Sequence, residues 1–142
     1  LTTERCGIKL SGERLDKRHQ HWQSVIISAC EQCGRNRLPT LSPLTSLRDW
    51  LSHPLLDEAD QIDQELKLVL HHRASQSLSS NPKPDSSVTL LIGPEGGLTE
   101  TEIDAAVNAG FKPIQLGPRV LRTETAGVAS LAAIQTLWGD MS

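Results

Sequence analysis

Apolar positions change period along this chain of 142 residues, and each change marks a predicted element. From Glu13 to about Cys33, Trp22, Val25, Ile26, Ala29 and Cys30 recur at helical spacing, with Gly34 placed to stop the helix. Before it, Thr3 to Leu10 reads as a short strand or extended arm. After it, Leu38 to Pro43 carries two prolines and belongs in a loop or at a sheet edge. A short helix is predicted from Thr45 to His53, capped by Thr45 or Ser46 and ended before Pro54. The acidic stretch Asp57 to Glu65 is expected to be exposed, Leu66 to Leu70 reads as a strand, and the Ser/Pro/Asn-rich stretch Ala74 to Ser87 as the most flexible loop.

The final third alternates strand, loop and helix. Val88 to Ile92 is a continuous apolar run, the pattern of a strand buried on both faces of a parallel sheet. Gly93-Pro94-Glu95-Gly96-Gly97 interrupts it, and Thr99 with Glu102 forms a capping box that opens a helix reaching Ala109 and stopping at Gly110. Ile114 to Leu116 reads as the next strand, broken by Gly117-Pro118, and a last helix runs from near Thr123, its expected cap, to about Trp138. The fold class that follows is α/β, a mostly parallel sheet flanked by helices.

Composition narrows the function. No apolar run approaches the roughly 20 residues that a bilayer demands, so a membrane partner is not expected. Nor does a basic-then-apolar leader open the chain. Three cysteines are too few for a disulfide scaffold and fit a reducing, cytosolic compartment. With three Trp, one Phe and no Tyr, a base-stacking platform is not available. The net charge of −3 conceals an asymmetry: residues 1–37 hold seven Lys/Arg against four acids, a balance of +3, and the rest seven against thirteen, a balance of −6. Such a basic portion either meets phosphates or is a solvated helix face. Arg5, Arg14 and Arg35 are its candidate phosphate contacts.

Both glycine-rich breaks fall between the carboxyl end of a strand and the start of a helix, the rim where open α/β sheets bind ligands. Gly93, Gly96, Gly97 and Gly117 would let a ligand lie against the backbone; ordinary βα turns are the alternative. Neither a Walker loop nor GxGxxG is present, which argues against a phosphate cradle. In the second loop Arg122 and Glu124 flank Thr123, more polar chemistry than one helix cap needs. Gly127 and its small neighbours from Ala126 to Ala133 would permit a very close neighbour, which would compensate for glycine in a helix. Cys30-x-x-Cys33 offers only two ligands, so no metal is expected.

The sequences Ile92-Gly93-Pro94-Glu95-Gly96-Gly97-Leu98-Thr99 and Leu116-Gly117-Pro118-Arg119-Val120-Leu121-Arg122-Thr123-Glu124-Thr125-Ala126 resemble the SPOUT RNA methyltransferases. Within that class they are similar to the RsmE family, bacterial enzymes that methylate N3 of a uridine in 16S ribosomal RNA. Glu4-Arg5-Cys6, Gly12-Glu13-Arg14 and Glu31-Gln32 with Gly34-Arg35 and Pro39 match the same pattern. The resemblance implies a deep trefoil knot near the carboxyl end, S-adenosylmethionine as cofactor, a homodimer, and 16S rRNA or the small ribosomal subunit as partner. It places Leu70, His71, Ile92, Gly93, Gly96, Leu116, Gly117, Leu121, Thr123 and Ala126 around the cofactor, and with an RNA partner it makes Arg5, Arg14 and Arg35 of the basic portion candidate RNA contacts. Members of that family carry a PUA-like barrel, then a first strand and helix, ahead of the point where this chain starts, so residues 1–142 are expected to be a methyltransferase domain lacking both.

Methylation at uracil N3 requires loss of its proton. Arg122 is the candidate cation that stabilises the deprotonated base or grips the flanking phosphate. Glu95 or Glu124 is the candidate base, a role that burial would favour. Glu124 also suits the first turn of a helix on dipole grounds alone. The competing function is a noncatalytic RNA-binding or dimerisation module that keeps the fold.

Overall fold

The computed structural model describes residues 1–7, 12–52 and 65–141. The chain divides into two compact units, one of residues 7–45 and one that joins residues 1–6 to residues 46–142.

In the first unit, α1 spans Glu13–Cys33. Leu15, His19, Trp22, Ile26 and Cys30 recur every three or four residues and are half-buried or, for Cys30, buried. Gly34 ends the helix in the left-handed region at φ 75°, and the Arg35 N–H returns to the Cys30 carbonyl at 2.9 Å. This is the six-to-one bond of a Schellman stop, which glycine makes without a Cβ penalty.

The second unit is a parallel sheet between helical layers. Its described elements are α2 (Leu47–Ser52), β1 (Leu66–Leu70), a single 3-10 turn (Leu78–Ser80), β2 (Val88–Leu91), α3 (Glu100–Asn108), β3 (Lys112–Ile114) and α4 (Thr123–Trp138). The strand order is β2-β1-β3, with Leu68 opposite Leu90 on one side and Lys112 on the other. Side chains alternate across the sheet, so β1 feeds two cores. Leu66 and Leu68 pack with Leu78 and Ile114, against which Ala133, Ile134 and Trp138 of α4 lie. Val69 packs with Leu91, Leu47, Ile103, Ala106 and Phe111, on the side of α2 and α3. The central strand, buried on both faces, is therefore β1. The run at Val88 is instead an outer strand of the described sheet and is half-buried except at Leu91.

Several local expectations shift for identifiable reasons. β3 lies two residues earlier than the predicted strand at Ile114 to Leu116. Pro113 is tolerated because the polar backbone groups of Ile114 face β1, where its carbonyl accepts from His71 N–H at 2.9 Å. Those of Pro113 then face away from β1, on the side where Gln115 N–H donates to the Gln76 carbonyl at 2.9 Å. Within the loop Ala74 to Ser87, Leu78 is buried and Asn81 Nδ2 donates to the Ser77 carbonyl at 3.1 Å. Of the two proposed caps, Ser46 caps α2, its Oγ accepting from Asp49 N–H at 3.0 Å. Of the strand or arm expected over Thr3 to Leu10, residues 3–7 instead hold a turn in which Cys6 N–H donates to the Thr3 carbonyl at 3.1 Å, Thr2 just before it bridges Ser46, and residues 8–10 lie outside the described residues. So do His53 and 57–64 of the acidic stretch.

The capping box at α3 does more than start a helix. Thr99 Oγ1 accepts from Glu102 N–H at 3.2 Å, and Glu102 Oε2 accepts from Thr99 N–H at 2.8 Å. The other carboxylate oxygen, Oε1, accepts from Glu4 N–H at 2.8 Å, which ties residues 1–6 to α3. Glu102 is 9% exposed, and its removal would take the acceptor from two part-buried hydrogen bonds. We expect Glu102→Ala to lower the unfolding free energy by about 2 kcal/mol in urea titrations. A loss under about 0.5 kcal/mol, the size of an ordinary surface change, would show that water replaces both contacts freely.

Candidate active site

Two loops at the carboxyl ends of β2 and β3 meet over a cavity of about 600 Å³, within the range of small-molecule sites. The first loop turns on Pro94, whose carbonyl accepts from Gly97 N–H at 2.8 Å, with Gly97 at φ 69°. Gly93 sits at its root in close quarters: a Cβ there would lie 2.9 Å from Leu98 N and 3.0 Å from Leu98 Cγ. Gly117, at φ 75°, bends the second loop in a conformation that side chains disfavour.

The loops are joined to one another and to the arm. Thr123 Oγ1 donates to the Gly93 carbonyl at 3.1 Å. Thr123 was expected to cap α4, but Arg122 occupies the cap position without a side-chain bond, and the threonine hydroxyl spans the loops instead. Arg5 Nη1 donates to the Gly96 carbonyl at 2.9 Å, and the arginine stem crowds the space a Cβ at Gly96 would need. The floor and walls are apolar at Leu70, Ile92, Leu98, Ile103, Ile114, Leu116 and Ala126.

All ten residues expected around the cofactor line this one cavity: Leu70, His71, Ile92, Gly93, Gly96, Leu116, Gly117, Leu121, Thr123 and Ala126. Glu95, Arg122 and Glu124 line it too, each exposed at the rim. Among the described residues, nothing supplies the burial that would favour a base role for either carboxylate. Of the three arginines set apart as RNA contacts, Arg5 is at the cavity. Arg14 and Arg35 belong to the unit of residues 7–45, where Arg35 Nε donates to the Arg37 carbonyl at 3.1 Å.

Among the described residues, a Cβ at Gly127 would meet Ile92 Cδ1 at 3.6 Å, an ordinary contact. His72, Gln115, Leu98 and Ile103 line the cavity but were not anticipated. His72 and Gln115 directly follow His71 and Ile114 at strand ends, which is the signal that could have found them. The Cys33 thiol faces the Cys30 carbonyl at 3.7 Å, and no disulfide joins any of the three cysteines. No helix among the described residues is long and apolar enough to cross a membrane.

A family model described as an RNA methyltransferase domain matches residues 1–135. Ribosomal RNA small subunit methyltransferase E of Buchnera aphidicola subsp. Schizaphis graminum is 36% identical over 142 residues, covering 100% of this chain and 55% of that protein. A ribosomal RNA small subunit methyltransferase E from Neisseria gonorrhoeae, solved bound to S-adenosyl methionine, aligns with a TM-score of 0.85 at 39% identity, over 99% of this chain and 54% of that one. A Legionella pneumophila protein solved with the cofactor SAM aligns at 0.86 and 40% identity, over 98% of this chain and 54% of that one. The chain thus spans about half the length of the relatives it matches.

Proposed function

The chain belongs to the family of RNA methyltransferase domains, and from that premise we propose that it binds S-adenosylmethionine between its two glycine loops and methylates N3 of a uridine in 16S ribosomal RNA. The single observation that carries this reading is the convergence of both loops, joined by the Thr123–Gly93 bond, on one cavity. The residues present fit the cofactor: glycine backbone at Gly93, Gly96 and Gly117 for its polar groups, and apolar contact from Ile92, Leu116, Leu121 and Ala126.

When bound, S-adenosylmethionine supplies an electrophilic methyl group on a sulfonium. The protein's share is to hold its surroundings in line, and positioning of that kind lowers a barrier by up to about 7–11 kcal/mol. Leu70 and His71, at the end of β1, line the cavity, and Leu98 and Ile103 add apolar surface to it. Arg122, at the rim, faces the uracil as its N3 proton leaves and stabilises the anion, or grips the flanking phosphate. Glu124 or Glu95 takes the proton.

A homodimer would complete the site. Val120, Val128 and Leu131 are 79%, 71% and 59% exposed. Glu124, Val128 and Leu131 follow one stripe of α4 at i, i+4 and i+7. A second copy laid on that stripe would cover the apolar groups and, with them, Glu124, supplying the burial its role needs. In the same reading the two loops and α4 belong to a deep trefoil knot, and the protein acts in the cytoplasm on the small ribosomal subunit.

Calorimetry with S-adenosylhomocysteine tests the cofactor site, and we expect one site per chain. Mass-spectrometric mapping of methylated nucleosides in 16S rRNA, from cells lacking the full-length gene and from complemented cells, tests the target. A chain that fails to bind S-adenosylhomocysteine is the noncatalytic module instead.

A further inference from the structure

α1 has two faces of opposite character. Beside the side that carries Leu15, Trp22, Ile26 and Cys30, the side chains of Arg14, Lys17, Arg18 and His21 line a shallow recess. At 100° per residue these four share an arc of about 100°, and Glu13 and Asp16 fall outside it. The row spans about 10 Å along the axis at 1.5 Å per residue. Among the described residues the ion pairs are Lys67–Glu65 and Arg73–Glu100, so none of the three cations of this face is in one.

Helix stability does not account for the arrangement. Cations are favoured near a helix carboxyl end and disfavoured near the amino end. Here they occupy the first two turns, and the last turn has no basic residue. Charge balance identifies what would offset that cost. Residues 7–45 carry six Lys/Arg against three acids, a balance of +3, while the other unit carries eight against fourteen, a balance of −6. A polyanion is repelled by the larger unit and attracted to this one.

We propose that the Arg14–Lys17–Arg18–His21 face of α1 is a docking surface for the phosphodiester backbone of the RNA substrate, separate from the residues that line the cavity. The inference rests on the RNA methyltransferase reading and deepens it. Contacts of this kind position the RNA without reading its sequence, and their signature is salt dependence.

The test titrates the chain with a short labelled single-stranded RNA over a range of salt. In Arg14→Ala/Lys17→Ala/Arg18→Ala, the slope of log Kd against log salt is expected to fall by about 2, at about 0.7 per lost contact. Alanine keeps the helix, which circular dichroism verifies. A control, Arg48→Ala/Lys83→Ala/Lys112→Ala, removes the same charge from exposed positions of the other unit and is expected to keep the parent slope. Both triples are expected to bind S-adenosylhomocysteine as the parent does, so a failure of the cofactor reading would be seen separately. An unchanged slope in the α1 triple, an equal fall in the control, or no RNA binding by the parent overturns the proposal. Competition by polyglutamate as strong as that by RNA of equal charge also overturns it, by making the face a site for acidic protein.

Discussion

Gly93→Ala is expected to weaken S-adenosylhomocysteine binding by at least about 100-fold, equivalent to about 2.7 kcal/mol. The new methyl group would sit 2.9 Å from Leu98 N and 3.2 Å from Gly97 C, and both obstacles are backbone. A flexible side chain could swing away, but here the loop itself must open. Opening also disturbs the other loop, because the Gly93 carbonyl is the acceptor for Thr123 Oγ1. Overpacking of this kind typically costs about 1–3 kcal/mol of stability, so affinity is to be measured below the urea transition of the variant. Gly96→Ala is the graded control. Its Cβ would meet Arg5 Cβ at 3.1 Å, a side chain on a short arm that can give by a few tenths of an ångström. A smaller loss, within about tenfold or 1.4 kcal/mol, is expected there. If Gly93→Ala binds within threefold of the parent, the ligand does not rest on the first loop, and the cavity has another purpose.

Much of this architecture is legible locally. α1 and its glycine stop, the capping box of α3 and the limits of α4 all arise from interactions within a few residues, and hydrophobic periodicity reports those directly. The two loops were legible as candidate ligand-binding turns because glycines at the carboxyl ends of strands lie where open α/β sheets bind ligands. What the sequence hides is long-range pairing. Glu4 meets Glu102 across 98 positions, Arg5 meets Gly96 across 91, and Thr123 meets Gly93 across 30. None of these has a local signature: a threonine that reads as a cap spans two loops, and an arginine that reads as an RNA contact anchors one. Pro113 shows the same limit in the sheet. A proline looks like a strand break until the pairing register shows which way its missing N–H points.

Arg122→Ala is expected to slow single-turnover methylation of RNA at saturating cofactor by about 100-fold or more, the scale seen when one charge-stabilising donor is removed from an active site. The side chain is free for that work. Arg122 is exposed, makes no side-chain cap bond to α4, and is in no ion pair among the described residues. Its loss should therefore leave the urea midpoint unchanged, as for an ordinary surface substitution. Cofactor affinity should hold as well, since the loop backbone stays in place. Arg122→Lys separates the two roles proposed for this group: a point charge that stabilises the anion at N3 is largely restored by lysine, whereas a planar grip on phosphate is not. If Arg122 lowers the cost of losing the N3 proton, the alanine variant also needs more alkaline conditions to reach a given rate, so its pH profile moves upward. A phosphate grip moves the apparent affinity for RNA and leaves the profile alone. Glu124→Gln is read in the same assay. It forfeits at most about 0.3–1 kcal/mol of helix-dipole stabilisation in the first turn of α4, so a rate loss of about 100-fold with an unchanged fold would identify it as the proton acceptor. Parent-like rates in both variants would remove these two residues from the chemistry and leave Glu95, on the opposite loop, as the remaining acidic group at the cavity rim.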